Sequence, residues 1–267
     1  MRTTFPAPIV LLTDFGLEDW FVGAMKGRIL ARLPGARLID LSHGVPPGRV
    51  ETGAFMVECA LDAMPEEAIF CCVVDPGVGG PRRALCGRIG RWGYAGPDNG
   101  LATALLERAG RDFDLHRIEH PDFMAPRLST TFHGRDLFAP AAAALAAGRT
   151  PTEAGAPVHD PVRLPSWRAR CDGDTLIGRV MMVDRFGNLV TNIHPAEWRD
   201  GLGERRFELE AGPLRFRRLH AAFSEVEPGR ALAYWGSAGT LEIAVNRGSA
   251  ASATGLQVGA TIRIRPS

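Results

Sequence analysis

The sequence predicts two domains, an α/β domain built on a central, mostly parallel sheet and a small all-β barrel domain after it. Three observations carry that expectation. Two continuous apolar runs, 9–12 and 68–74, each stop at an acid and a glycine, Thr13-Asp14-Phe15-Gly16 and Asp75-Pro76-Gly77, as buried parallel strands do where they meet a loop. Helical periodicity fills the space between them, which gives a β-α-β-α-β order and an α/β layer fold. Beyond residue 165 that periodicity fades into short alternating segments divided by Gly, Asn and Pro, the pattern of a small barrel.

Taken in order, the first strand is 9–12 and the first helix 20–33, with apolar residues at i, i+3 and i+4. A short strand follows at 37–41, a second helix at 49–63 and the third strand at 68–74. Further helices are expected at 100–109 and 134–147, the latter alanine-rich and stopped by Gly148. Pro151, Pro157, Pro161 and Pro165 then mark a linker, so the domains are expected at 1–150 and 169–267 with 151–168 between them. Strands of the second domain are expected at 175–183, 206–210, 214–219, 231–235, 241–245 and 260–264.

At 267 residues, with 45% hydrophobic and 23% charged side chains, the chain has the bulk of an ordinary globular protein. Its 31 basic and 30 acidic residues leave a formal charge of +1, too little field to gather a polyanion, so nucleic acid is not an expected partner. Lys26 is the only lysine, which leaves almost no scope for Schiff-base chemistry. Five cysteines without a C-x-x-C pair suggest neither a disulfide framework nor a zinc knuckle, and read as free thiols in a reducing cytosol. No apolar run approaches the ~20 residues of a spanning helix, and residues 1–12 do not read as a signal peptide. The expected location is the cytoplasm, with no membrane partner.

Several polar clusters fall at predicted strand ends, where open parallel sheets bind ligands. Asp14 there can accept both hydroxyls of a ribose, or simply cap a helix. In Asp75-Pro76-Gly77-Val78-Gly79-Gly80-Pro81-Arg82-Arg83, three glycines allow close backbone approach and two arginines add fixed charge, without the spacing of a Walker or dinucleotide loop. His133 directly precedes the alanine-rich helix, whose N-terminus biases the ring toward its neutral form. Asp98-Asn99-Gly100 and Arg185-Phe186-Gly187-Asn188 read first as turns, with Asp184 and Asn188 at a strand end. Asp14, Asp75, Asp98 and Asp136 with His133 could cup a metal for phosphoester hydrolysis, although no metal-ligand spacing supports it. The other reading is a metal-free displacement in which Asp, Arg and His hold a water. Residue types leave both open.

Five blocks in order, Thr13–Gly16, Asp75–Gly79, Gly96–Gly100, Phe132–Asp136 and Asp184–Asn192, closely resemble the S-adenosylmethionine hydroxide adenosyltransferases, hydrolases related to the fluorinating and chlorinating enzymes. The resemblance runs from residue 9 to about residue 250. It implies hydrolysis of S-adenosyl-L-methionine to adenosine and L-methionine without a cofactor or a metal. It also implies a homotrimer with sites between subunits. The family's catalytic set falls on Asp75, Arg82 and His133, with Arg82 at the seven-residue step from the acid and Arg83 an expected neutral neighbour. Substrate binding falls on Asp14 for the ribose, Asp184 and Asn188 for the methionine amine and the adenine, Ser237 near the methionyl end, and Glu242 and Val245 on a strand lining the adenosine site. Gly134 stands where the halogenating relatives carry a halide-contacting serine, and Ala238 where they carry a carboxylate-binding arginine. The resemblance leaves as alternatives a non-catalytic S-adenosylmethionine sensor and an S-adenosylmethionine-dependent halogenase.

Overall fold

The computed structural model describes residues 6–203 and 205–267; residues 1–5, on which the reading of the N-terminus partly rests, lie outside them. The chain divides into two compact units, Met1–Leu164 and Pro165–Ser267, a division that falls within the proline-rich stretch.

In the first unit, β1 (Ile9–Thr13), α1 (Phe21–Arg32), β2 (Leu38–Ser42), α2 (Val50–Ala60) and β3 (Ile69–Val73) follow the expected order. After them come β4 (Ala84–Ile89), β5 (Trp92–Pro97), α3 (Thr103–Ala109), β6 (Phe113–Arg117), α4 (Ala139–Ala146) and β7 (Pro157–Val158). They form one sheet in the order β2-β1-β3-β5-β4-β6-β7. Strands β2, β1, β3 and β5 are parallel, whereas β4, β6 and β7 join by antiparallel pairing. The sheet is therefore mixed, and the expectation of a mostly parallel one holds only for its first four strands. Glycine hid the rest: a Cβ at Gly93 would stand 2.7 Å from Ile69, and one at Gly96 2.6 Å from the Cys72 carbonyl. Close strand approach thus removed the side chains by which a strand is read.

Every residue of β1 and β3 is buried, as continuous apolar runs require when both faces are covered. One face packs against α1 and α4; Ile9, Leu11, Ile69 and Cys71 share a core with Met25, Ile29 and the alanines of α4, whose small side chains permit close packing. The other face meets α2, where Gly53 lets the helix settle against Leu12, Val74 and Leu101. The alanine-rich helix does not begin at Gly134 as a regular α-helix. Gly134–Phe138 is π-helical, with the Ala139 amide donating to the Gly134 carbonyl, an irregularity frequent at functional sites.

The second unit contains β8 (Arg170–Asp172), β9 (Thr175–Val183), β10 (Leu189–Thr191), α5 (Pro195–Gly201), β11 (Phe207–Ala211), β12 (Leu214–Phe216), β13 (Ala231–Trp235), β14 (Leu241–Val245), α6 (Ala250–Thr254) and β15 (Thr261–Pro266). All its strand pairings are antiparallel, in the order β12-β11-β15-β9-β10-β14-β13 with β8 beside β9. The His220 amide donates to the Ala233 carbonyl at 2.8 Å, bringing the chain just beyond β12 back to β13 and nearly closing a barrel. Alternating burial along β9 and β15 turns Leu176, Val180, Ile262 and Ile264 into a common core. Among the described residues no helix is long and apolar enough to cross a membrane.

Candidate active site

The register Thr13↔Val73 places the ends of β1 and β3 side by side, so Asp14 and Asp75 leave the sheet at one edge. Both line a cavity of about 330 Å³ with Phe15, Phe21, Phe132 and His133, a volume in the small-molecule range. Asp14 accepts the Gly48 amide at 2.8 Å on Oδ2, and its Oδ1 has no partner among the described residues.

Arg82 stands behind Asp75 and His133 with its side chain only 11% exposed. Its Nε donates to both oxygens of Asp75, at 3.1 and 3.0 Å, and Nη2 donates to Asp75 Oδ2 as well. The same Nη2 lies 2.6 Å from His133 Nδ1. A guanidinium only donates, so Nδ1 must be the acceptor and a neutral His133 carries its proton on Nε2. Burial, and then the positive charge of Arg82, hold the His133 pKa below its ordinary value, against the opposing pull of Asp75 and Asp136. The Arg82 guanidinium also rests 5.2 Å from the centre of the Phe138 ring, which leaves it little freedom to turn.

The glycine loop between Asp75 and Arg82 uses its amides internally: Val78 donates to Asp75 and Gly80 to Gly77. Its required glycine is Gly79, at φ +77°, where a Cβ would lie 2.5 Å from the Thr130 carbonyl. That close approach knits the loop of Asp75 and Arg82 to the segment leading into His133. The remaining candidates point elsewhere. Arg83 donates to Asp98 at 2.5 Å and to Asp160 at 2.6 Å, and Asp98 also receives the Val162 amide, so this cluster fastens 160–162 to the end of β5. Arg83 therefore holds the chain together at this corner and has no bond to Asp75 or His133 among the described residues. Asp136, wholly buried, is paired with Arg135 and accepts the Ser129 amide. The four acids proposed as a metal cup are each engaged by a different donor, and among the described residues no group of three or more His, Cys, Asp or Glu could hold a metal.

In the barrel unit, Asp184 Oδ1 accepts the amides of Phe186 and Asn188, and Oδ2 accepts the Asn188 side-chain amide at 2.8 Å. Gly187 lies against Ser249, and Phe186 projects from the tip, 76% exposed. Glu242 is buried opposite Tyr234 on β13, whose hydroxyl donates to it. Burial raises the Glu242 pKa, and the negative charge of Asp184 adds to this, while the Tyr234 hydrogen bond opposes it. Ser237 is exposed on the β13–β14 loop, and the backbone of its neighbour Gly236 packs against the Glu242 carboxylate. Val245 is turned into the barrel core with Leu241 and Ile243, so its side chain faces away from the side that carries Glu242. Sequence reasoning missed Tyr234, Phe21, Gly48 and His43; only His43 left a signal, since Ser42-His43-Gly44 follows a strand as Asp14 and Asp75 do.

A mixed sheet whose strand edge gathers an Asp-Arg-His set, followed by an antiparallel barrel, matches the two domains of one enzyme class. Residues 9–155 match the SAM hydroxide adenosyltransferase N-terminal domain and residues 178–263 the C-terminal domain of the same family. The chain belongs to the SAM hydroxide adenosyltransferase family. It is 43% identical to an (R)-S-adenosyl-L-methionine hydrolase of Thermus thermophilus, covering 96% of this chain and 99% of that one. A fluorinase of Nocardia brasiliensis is 28% identical, with 96% of each chain covered. Among solved structures, an uncharacterized conserved protein from Thermotoga maritima superposes with a TM-score of 0.88 at 33% identity, over 96% of this chain and 99% of that one.

Proposed function

We propose that this protein hydrolyses S-adenosyl-L-methionine to adenosine and L-methionine, with water attacking the ribose C5′. The observation that carries the reading is the bonded Asp75–Arg82–His133 set on the same cavity as Asp14. In the reaction a water oxygen bonds to C5′, the C5′–S bond breaks with its electron pair going to sulfur, and one proton is released. The sulfonium leaves as a neutral thioether, so the leaving group needs neither a general acid nor a Lewis acid, and the chemistry calls for no cofactor or metal. Only the nucleophile needs activation. With His133 Nδ1 engaged by Arg82, the ring offers Nε2–H to orient the water, and Asp75 is the group left to take its proton. Arg82 fixes both partners and stabilises negative charge as it develops on the water oxygen.

Water rather than halide is the proposed nucleophile. Gly134 carries no hydroxyl, and a Cβ there would already lie 3.1 Å from Met25 Sδ and 3.3 Å from the Phe15 ring. In this reading Asp14 holds the ribose hydroxyls, Asp184 and Asn188 meet the methionine amine and the adenine, Ser237 lies at the methionyl end, and Glu242 and Val245 line the adenosine site, Val245 through its backbone. The proposed assembly is a homotrimer in the cytoplasm, in which the Asp14 and Asp75 set of one subunit meets the Asp184 and Asn188 set of the next. Chromatography of a reaction with S-adenosylmethionine and excess chelator tests the activity: adenosine and methionine over many turnovers support it. Formation of 5′-methylthioadenosine, dependence on a divalent ion, or stoichiometric binding without turnover would contradict it.

A further inference from the structure

A second polar network lies directly behind Asp14 and has no part in the chemistry above. The Thr13 hydroxyl, fully buried, is 2.8 Å from His43 Nδ1 and accepts the Phe15 amide at 3.2 Å. His43 Nε2 lies 3.1 Å from Asp40 Oδ1, and the other Asp40 oxygen accepts Lys26 Nζ at 2.6 Å. Asp, His and Thr in series have the composition of a nucleophilic triad, but a hydroxyl with no exposure and an amide already upon it cannot reach a substrate.

Proton accounting gives the network a direction. The Phe15 amide occupies a lone pair of Thr13 Oγ1, the hydroxyl proton points at His43 Nδ1, and the ring's own proton sits on Nε2 facing Asp40. Each group thereby fixes the rotamer of the next. The same loop grips the turn through its backbone: Gly16 donates to the His43 carbonyl at 2.8 Å, and Gly48 donates to Asp14 Oδ2 at 2.8 Å. Asp14 is thus held from its own side chain and from the residues on both sides of it, with its Oδ1 left for a ligand.

We infer that His43 is a positioning residue for Asp14, acting through the Thr13 hydroxyl, and that it sets how strongly the site selects for ribose hydroxyls. The inference rests on the reading of Asp14 as the ribose-binding acid. Its test is the ratio of affinities for adenosine and 2′,3′-dideoxyadenosine, measured by calorimetry, beside KM and kcat for S-adenosylmethionine. His43→Ala and Thr13→Val should each shrink that ratio by about five- to tenfold, the scale of one hydrogen bond, and raise KM more than they lower kcat. The double variant should lose no more than either single one, because both break one path. His43→Asn, whose Oδ1 replaces Nδ1 as the acceptor, should restore most of the ratio. An unchanged ratio in His43→Ala and Thr13→Val while Asp14→Asn collapses it would overturn the inference, as would His43→Asn behaving like alanine. If Asp14→Asn itself left the ratio intact, the reading of Asp14 would fall and the inference with it. Should His43→Ala not fold, Thr13→Val, nearly isosteric, decides alone.

Discussion

Replacing Arg82 with alanine removes two donors to Asp75 and the donor to His133 in one step, while both of those cavity-lining side chains stay in place. If that guanidinium stabilises negative charge developing on the attacking water, its loss should cost about 10²–10³ in kcat, or about 3–4 kcal/mol, the scale of one transition-state electrostatic contact. Binding should change little, because Asp14, Asp184 and Asn188 are assigned to the substrate and none of them is bonded to Arg82. Steady-state kinetics with S-adenosylmethionine and calorimetry with adenosine separate the two effects. Arg83→Ala is the comparison. It strips Asp98, whose side chain is 3% exposed, of its charged partner and frees Asp160, so it should lower stability by about 1–3 kcal/mol while kcat stays near the parent value below the melting range. Loss of adenosine binding in Arg82→Ala, or a larger drop in kcat for Arg83→Ala, would refute the assignment.

Further outcomes follow from the site and assembly proposed above. His133 is held below its ordinary pKa of 6.5 by burial and by Arg82, so the acid limb of kcat should lie below pH 6.5 and move upward in Arg82→Ala, which removes the positive charge, as a pH–rate profile would show. In stability the unfolded chain is the better proton acceptor there, so His133 favours the fold above pH 6.5 and that contribution fades as pH falls toward the lowered value. Gly134→Ser should reduce stability by about 1–3 kcal/mol through contact with Met25 and Phe15, and fluoride or chloride should give no 5′-halo product, read by calorimetry and chromatography. Mixed oligomers of Asp14→Ala and Asn188→Ala proteins should regain part of the activity; none in verified mixtures would sink the shared site.

What could be read from residues alone differed sharply between regions. The runs of β1 and β3 announced themselves because both faces are buried, and the acids after them were visible as strand-end groups. The β4–β5 hairpin was not, since Gly87, Gly93 and Gly96 interrupt the apolar pattern where neighbouring strands crowd in. Likewise β7 is two residues inside a proline-rich stretch, and its pairing with β6 is decided by tertiary contact. The seven-residue step from Asp75 to Arg82 came from family likeness; spacing could not have said that Arg83, one residue on, turns to Asp98 and Asp160. Nor could sequence show that Gly79 serves loop packing against Thr130 while the neighbouring amides are spent within the loop. The His43 network joins residues up to 30 apart and appears only once β1 and β2 pair.

Reaction in ¹⁸O-labelled water with chelator present tests the central claim most directly. The account predicts one label in the 5′-hydroxyl of adenosine and none in methionine, turnover after turnover. Unlabelled adenosine, or product cleaved on the methionine side of sulfur, would contradict it.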